Sequence, residues 1–164
     1  CLIPRILERK CTLALFPVAG SKIYIGGVMS DQADDFVESD YSGETWTEVD
    51  GWQQCGALGD TAETITTQLI NRSRDVKQKG TANAGSMQNV FAIIRDDAGQ
   101  IALRSAGRAT VKDNYAFKIE WADGGVSYFI ALVMSVEEAG GGANTITNLN
   151  STFEVNSNVL YVAA

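Results

Sequence analysis

Tyr115-Ala116-Phe117-Lys118-Ile119-Glu120-Trp121-Ala122-Asp123-Gly124-Gly125-Val126 decides the fold class of this chain. Tyr115, Phe117, Ile119 and Trp121 alternate with Ala116, Lys118 and Glu120, the period of a strand with one apolar face. Ala122-Asp123-Gly124-Gly125 then supplies a tight turn, with Asp-Gly providing the positive φ such turns demand. Val126–Val136 pairs back, and its tyrosine, isoleucine, leucine and methionine predict burial on both faces. An antiparallel hairpin with one doubly buried strand is the start of a mainly β fold.

Working outward towards the C terminus, Gly140-Gly141-Gly142 is a loop rather than a phosphate cradle, which would need a helix with Lys or Ser/Thr after it. Instead Asn144-Thr145-Ile146-Thr147 resumes a strand. Over 144–155 one face carries Leu149, Phe153 and Val155, and the other carries the polar row Asn148, Asn150, Thr152 and Glu154, for water or a polar lumen. Asn158–Val162 predicts a final edge strand. Towards the N terminus, Asp96-Asp97 caps a helix in which Ala98, Ile101, Ala102 and Ala106 recur until Gly107. Met87–Ile94 reads as a strand apolar on both faces, Glu63–Ile70 as an alternating strand, and Ser21–Ile25 as a short one stopped by Gly26-Gly27. Between them, 71–85 is polar and longer than the usual hairpin loop of ~2–5 residues, which predicts an extended arm. The expected architecture is an antiparallel β-sandwich or barrel with one flanking α-helix and a long extended loop. It forms a single domain over 1–164, with 1–19 as an N-terminal extension and 71–85 as the arm.

Composition narrows the function. The 164 residues hold 13 bases against 20 acids, a net charge of −7, and no histidine. Ser-His-Asp and Cys-His catalysis and imidazole metal sites are therefore excluded, and the acidic balance argues against gripping nucleic acid. Residues 31–50 hold eight acids and no base. A glycosidase carboxylate pair would also need a saccharide cleft, so a solvated acidic loop is the expectation. No enzyme and no cofactor is predicted. The longest apolar run, Tyr128–Met134, falls short of the ~20 residues a membrane helix needs, so no membrane partner is expected. Arg5, Arg9 and Lys10 before the apolar 11–19 faintly resemble a signal peptide. Leu2-Ile3-Pro4 is not the polar tether of a lipidated N-terminal cysteine, so processing or trimming ahead of Cys1 is expected.

A family resemblance emerges from the order of these pieces. Gly51-Trp52-Gln53-Gln54-Cys55-Gly56 leads through Thr64-Ile65-Thr66 to a charged arm ending in Lys79-Gly80-Thr81. The helix Asp96-Asp97-Ala98-Gly99-Gln100-Ile101-Ala102-Leu103-Arg104 and the hairpin from Asn114 follow. That succession, over about residues 20–162, resembles the major tail tube proteins of long-tailed bacteriophages. The resemblance implies a structural subunit whose six-membered rings stack into a hollow tube through which DNA passes on ejection. Its partners would be further copies of itself and other tail proteins (tape measure, terminator, baseplate or tip). DNA would cross the lumen without specific binding, and the place would be the virion tail, assembled in the host cytoplasm. A type VI secretion tube ring protein is the nearest alternative. A monomeric β-sandwich binding module is another, for which only Trp46 and Trp52 offer loose aromatics.

Strands apolar on both faces suit subunits packed laterally, and a barrel shared between subunits leaves no open strand edges. Within the arm, Arg72, Arg74, Lys77 and Lys79 face only Asp75, whereas 31–50 and everything after Lys118 carry acids and no base. That segregation predicts a head-to-tail contact in which the arm meets an acidic patch on a neighbour. The three cysteines, Cys1, Cys11 and Cys55, contain no C-x-x-C motif. Reduced thiols are the plain expectation. The alternative is an inter-subunit disulfide from Cys1 or Cys11 to Cys55, which demands Cα atoms within ~7 Å.

Overall fold

The computed structural model describes residues 15–164. In chain order it contains β1 (Lys22–Val28), a 3-10 turn (Glu38–Tyr41), β2 (Thr47–Glu48), β3 (Trp52–Gln54), β4 (Thr61–Thr67) and β5 (Val76–Asn83). These are followed by β6 (Ser86–Ala92), α1 (Ala98–Ala106), β7 (Tyr115–Glu120), β8 (Val126–Ala139), β9 (Asn148–Val155) and β10 (Leu160–Val162). Eight strands form one antiparallel sheet in the order β2-β1-β7-β8-β9-β6-β3, with β10 also on β8, while among the described residues β4 and β5 pair only with each other. The architecture is the mainly β sandwich with one flanking helix that the sequence predicts.

The hairpin read first is its centre. Gly124 takes φ +90° in the turn, and Gly125 N–H donates to Asp123 Oδ1 at 2.9 Å. β7 pairs with the first half of β8, from Glu120–Val126 to Tyr115–Ala131. The second half of β8 pairs with β9, with a register shift between Val133 and Ser135, the kind of irregularity that bends a strand. Phe117 on β7 and Phe153 on β9 stack with ring centroids 4.5 Å apart. Two strand spacings in a flat sheet are about 9.5 Å, so the sheet curls across β8 and its halves face each other. Ile23, Ile25, Met87, Phe91, Leu103, Phe117, Ile119, Phe129, Leu149 and Phe153 fill the space between them. Each such side chain contributes about 1.5–3 kcal/mol on burial.

β8 is buried on its other face too, by the chain itself. Phe36, Tyr41, Ala116 and Ile130 form a second cluster, with Met29, Trp46, Tyr128 and Leu160 packed on it. Tyr41 stacks on Tyr128 at 5.0 Å. Asn158 clasps the segment, its Oδ1 accepting from Phe36 N–H at 2.8 Å and its Nδ2 donating to Phe36 O at 3.1 Å. This corrects two expectations. The acidic stretch 31–50 is a strap with aromatic anchors rather than a wholly solvated loop, and the doubly apolar strand β8 owes that character to the strap rather than to a lateral neighbour.

Smaller corrections have local causes. β1 runs through Gly26-Gly27 to Val28 with a register shift there; a Cβ on Gly26 would press on Trp46, so glycine lets the strap approach. β6 ends at Ala92 and alternates, burying Met87, Asn89 and Phe91 while Ser86 and Gln88 stay exposed. β9 starts at Asn148, after turns over 143–145. α1 is capped as expected, Asp97 Oδ2 accepting from Gln100 N–H at 3.0 Å, but its buried face is Gly99, Gln100, Leu103 and Ala106, leaving Ile101 52% exposed. Gln100 sits there because it ties three segments: Nε2 donates to Asp50 O and Ala92 O, each at 2.8 Å, and Oε1 accepts from Ile94 N–H at 3.0 Å. No side chain fits at Gly99, which packs against the Glu48 carbonyl.

Candidate assembly interface

The arm is a two-stranded ribbon. The extended segment expected over 71–85 is its tip and its returning strand: β5 pairs with β4 from Thr61–Asn83 out to Thr67–Val76. Sequence missed that strand because Lys77, Gln78 and Lys79 are polar on both faces and show no alternation. Cross-strand pairing sorts the ribbon into two sides. Thr64 opposite Lys79 and Thr66 opposite Lys77 make one, and Ile65 opposite Gln78 and Thr67 opposite Val76 make the other. Arg72 and Arg74 lie at the tip, where Arg72 N–H bonds Leu69 O at 3.1 Å. Ile65 is 50% exposed, and Leu69 and Ile70 are exposed with it. Among the described residues, the four ion pairs are Lys22–Glu48, Arg95–Glu138, Arg104–Glu138 and Lys118–Glu120. None involves Arg72, Arg74, Lys77 or Lys79.

Asn148, Asn150, Thr152 and Glu154 do share one face of β9, opposite buried Leu149, Phe153 and Val155. Their cross-strand partners extend that face: Ser86, Gln88, Val90 and Ala92 on β6, and Leu132, Ser135, Glu137 and Ala139 on β8. Ser86 Oγ also donates to Glu154 Oε1. The result is a mixed sheet surface whose charged members among these residues are Glu137 and Glu154, with no base. Nearer α1, Glu138 receives Arg104 at 2.6 Å and Arg95 at 3.3 Å, which hold its carboxyl below its usual pKa.

On the strap side, Asp31, Asp34 and Asp35 join Asp60, Asn156 and Asn158 around an open cleft of about 410 Å³. No group of three or more acids or cysteines converges to hold a metal among the described residues. Beside β1, Lys118 Nζ sits 4.3 Å from the Tyr24 ring centroid and 3.0 Å from Glu120. Burial and a 3.1 Å hydrogen bond to Glu120 push Tyr24 up to about 12. Burial would raise Glu120 itself, but Lys118 and Tyr24 outweigh it and hold the carboxyl low.

Of the three cysteines only Cys55 is among the described residues; Cys1 and Cys11 of the candidate disulfide lie outside them. Cys55 is a half-buried free thiol, and burial raises its pKa, which disfavours the thiolate needed for exchange. Trp46 and Trp52 are both half-buried. Trp46 packs on the strap cluster, and Trp52 donates from Nε1 to Asn89 Oδ1 at 3.2 Å. No described helix is long and apolar enough to cross a membrane.

No family model and no curated protein matches the chain. Solved structures do. The sheath/tube terminator of an extracellular contractile injection system, PVC, in its extended state aligns with a TM-score of 0.67 at 11% identity, over 93% of this chain and 99% of that one. The SPP1 tail tube aligns at 0.58 and 14% identity, over 90% and 80%. The tail of an empty GTA particle aligns at 0.57 and 13%, over 87% and 95%. At such identities the likeness is one of fold.

Proposed function

We propose that this chain is a structural subunit of a phage tail tube or of a closely related injection tube, and not an enzyme. One observation carries the proposal: a chain with the fold of tube proteins holds out a two-stranded ribbon, solvated on both faces, with four bases that no described acid neutralises. An isolated two-stranded hairpin is marginal in water, so such a ribbon is suited to being completed by a neighbour. A monomeric binding module leaves that ribbon unexplained, and its aromatic candidates are already used in the two apolar clusters.

In this proposal 1–164 acts as one tail-tube domain, and Arg72, Arg74, Lys77 and Lys79 make contacts between subunits or rings. Six-membered rings stack into a tube in the virion tail, assembled in the host cytoplasm beside tape measure, terminator and baseplate or tip proteins. The face of Asn148, Asn150, Thr152 and Glu154 lines the lumen; with Glu137 it repels phosphate, so DNA passes without being held. The stronger fold similarity to PVC favours a second reading, a tube subunit of a contractile injection system.

Negative-stain microscopy and light scattering of the purified protein test the assembly. Rings or tubes are expected at micromolar concentration; a monomer at every salt concentration overturns the proposal. Reversing Arg72, Arg74, Lys77 and Lys79 to Glu is expected to leave the circular dichroism unchanged and to abolish tube growth. Tubes of normal length from that variant remove the arm's role, and an inner surface rich in lysine and arginine removes the lumen assignment.

A further inference from the structure

We infer that the cleft bordered by Asp31, Asp34, Asp35 and Asp60 is the receptor for the basic ribbon of a second copy of this chain. The inference rests on the tube proposal and names the surface that the ribbon meets.

The ribbon is an unpartnered sheet surface with a sorted chemistry: lysines at 77 and 79 along one side, arginines at 72 and 74 at the tip. Two of the concave sites on the described body are large enough to compare for it. The groove beside β8 is lined by Leu132, Val133 and Met134 but is rimmed by Arg108 and Lys112, so it repels a basic ribbon. The other is the cleft of about 410 Å³ where the strap, Asp60 and the loop after β9 meet. Its four carboxylates are exposed, and among the described residues no base lines it. They are spread around an open mouth rather than converging as a metal site would, an arrangement that suits several separated cations. Asn158 is taken up by Phe36 and Asn156 Nδ2 by Asn114 Oδ1, which leaves Asn156 Oδ1 to accept from a guanidinium.

Position adds to charge. Ala82 and Asn83, at the root of the chain's own ribbon, line the same cleft, whereas Arg72 and Arg74 lie at the far end. The six rises of ~3.3 Å along β4, from Thr61 to Thr67, put root and tip about 20 Å apart. Donor and receptor therefore sit at opposite ends of one element. Such a contact is heterologous, so each copy that is received still offers its own tip, and the association propagates instead of closing as a pair.

Zero-length carbodiimide coupling of a mixture of 15N-labelled and unlabelled protein tests this directly, since it joins a lysine amine to a carboxylate in contact. Cross-links from Lys77 or Lys79 of one copy to Asp31, Asp34, Asp35 or Asp60 of another are expected. Tubes whose inter-copy cross-links from Lys77 and Lys79 go only to other acids, such as Glu137 or Glu154, overturn the receptor while leaving the tube reading intact. The combined variant Asp31→Asn, Asp34→Asn, Asp35→Asn, Asp60→Asn should raise the concentration needed for tube growth at least tenfold, with unchanged circular dichroism; an unchanged threshold also overturns the receptor. Absence of any assembly by the unaltered chain overturns both readings together.

Discussion

The sandwich body and the ribbon use the same secondary structure under opposite conditions. β8 has partners along both edges, and its first half has apolar cover on both faces. Among the described residues β4 and β5 have only each other, and Ile65, Leu69 and Ile70 are exposed. Strand pairing alone does not make a stable element; cover does. The body holds its cover within the chain, whereas the ribbon receives none from the other described residues. Stability and assembly should thus respond to different residues.

The widest separation is expected at Phe117, fully buried and stacked on both Phe129 and Phe153. Phe117→Ala should cost about 3–5 kcal/mol, read from the urea midpoint; a loss below 1 kcal/mol would show that the two halves do not share one core. Next comes Gln100→Ala, which strips partners from Ile94 N–H and from the carbonyls of Asp50 and Ala92. Roughly 2–3 kcal/mol is expected, and an unaffected melting temperature would dispose of the three-way tie.

A third effect is pH-dependent and confined to the body. Burial raises both Tyr24 and Tyr41 to about 12, from a usual value near 10. Between those values the unfolded chain loses protons that the folded chain keeps, so stability is full below pH ~10 and falls as pH rises towards 12. Replacing both tyrosines with phenylalanine should flatten the alkaline fall in melting temperature relative to the unaltered protein; identical profiles would contradict the assignment. The smallest effect belongs to the ribbon. Ile65→Ala should change the monomer's stability by less than about 0.5 kcal/mol, and a loss comparable to Phe117→Ala would mean that the ribbon packs on its own body.

What sequence disclosed follows the same division. The 115–126 hairpin, the Asp97 cap and the polar face of β9 were legible because each is written in a local period or a local spacing. Phe36, Tyr41 and Trp46 were not, since their spacing matches neither 2 nor 3.6 and their partners come from β7, β8 and β10. The candidate site was half legible. Arg72, Arg74, Lys77 and Lys79 announce themselves as a run of unbalanced charge, but the cleft gathers 31–36, Asp60 and 155–158, segments that no window of sequence joins.

The Asn158 clasp sets an order in time. Phe36 waits for a residue 122 positions downstream, and Tyr24 on β1 waits 96 positions for Glu120. Synthesis completes both limbs of the ribbon well before the loop after β9 leaves the ribosome. A nascent or prematurely terminated chain therefore carries the projecting element without the cleft, whose last wall is the Val155–Asn158 stretch. If the cleft is the receptor proposed above, such a fragment offers a ribbon tip but no cleft, so it would add to a growing end without being built upon.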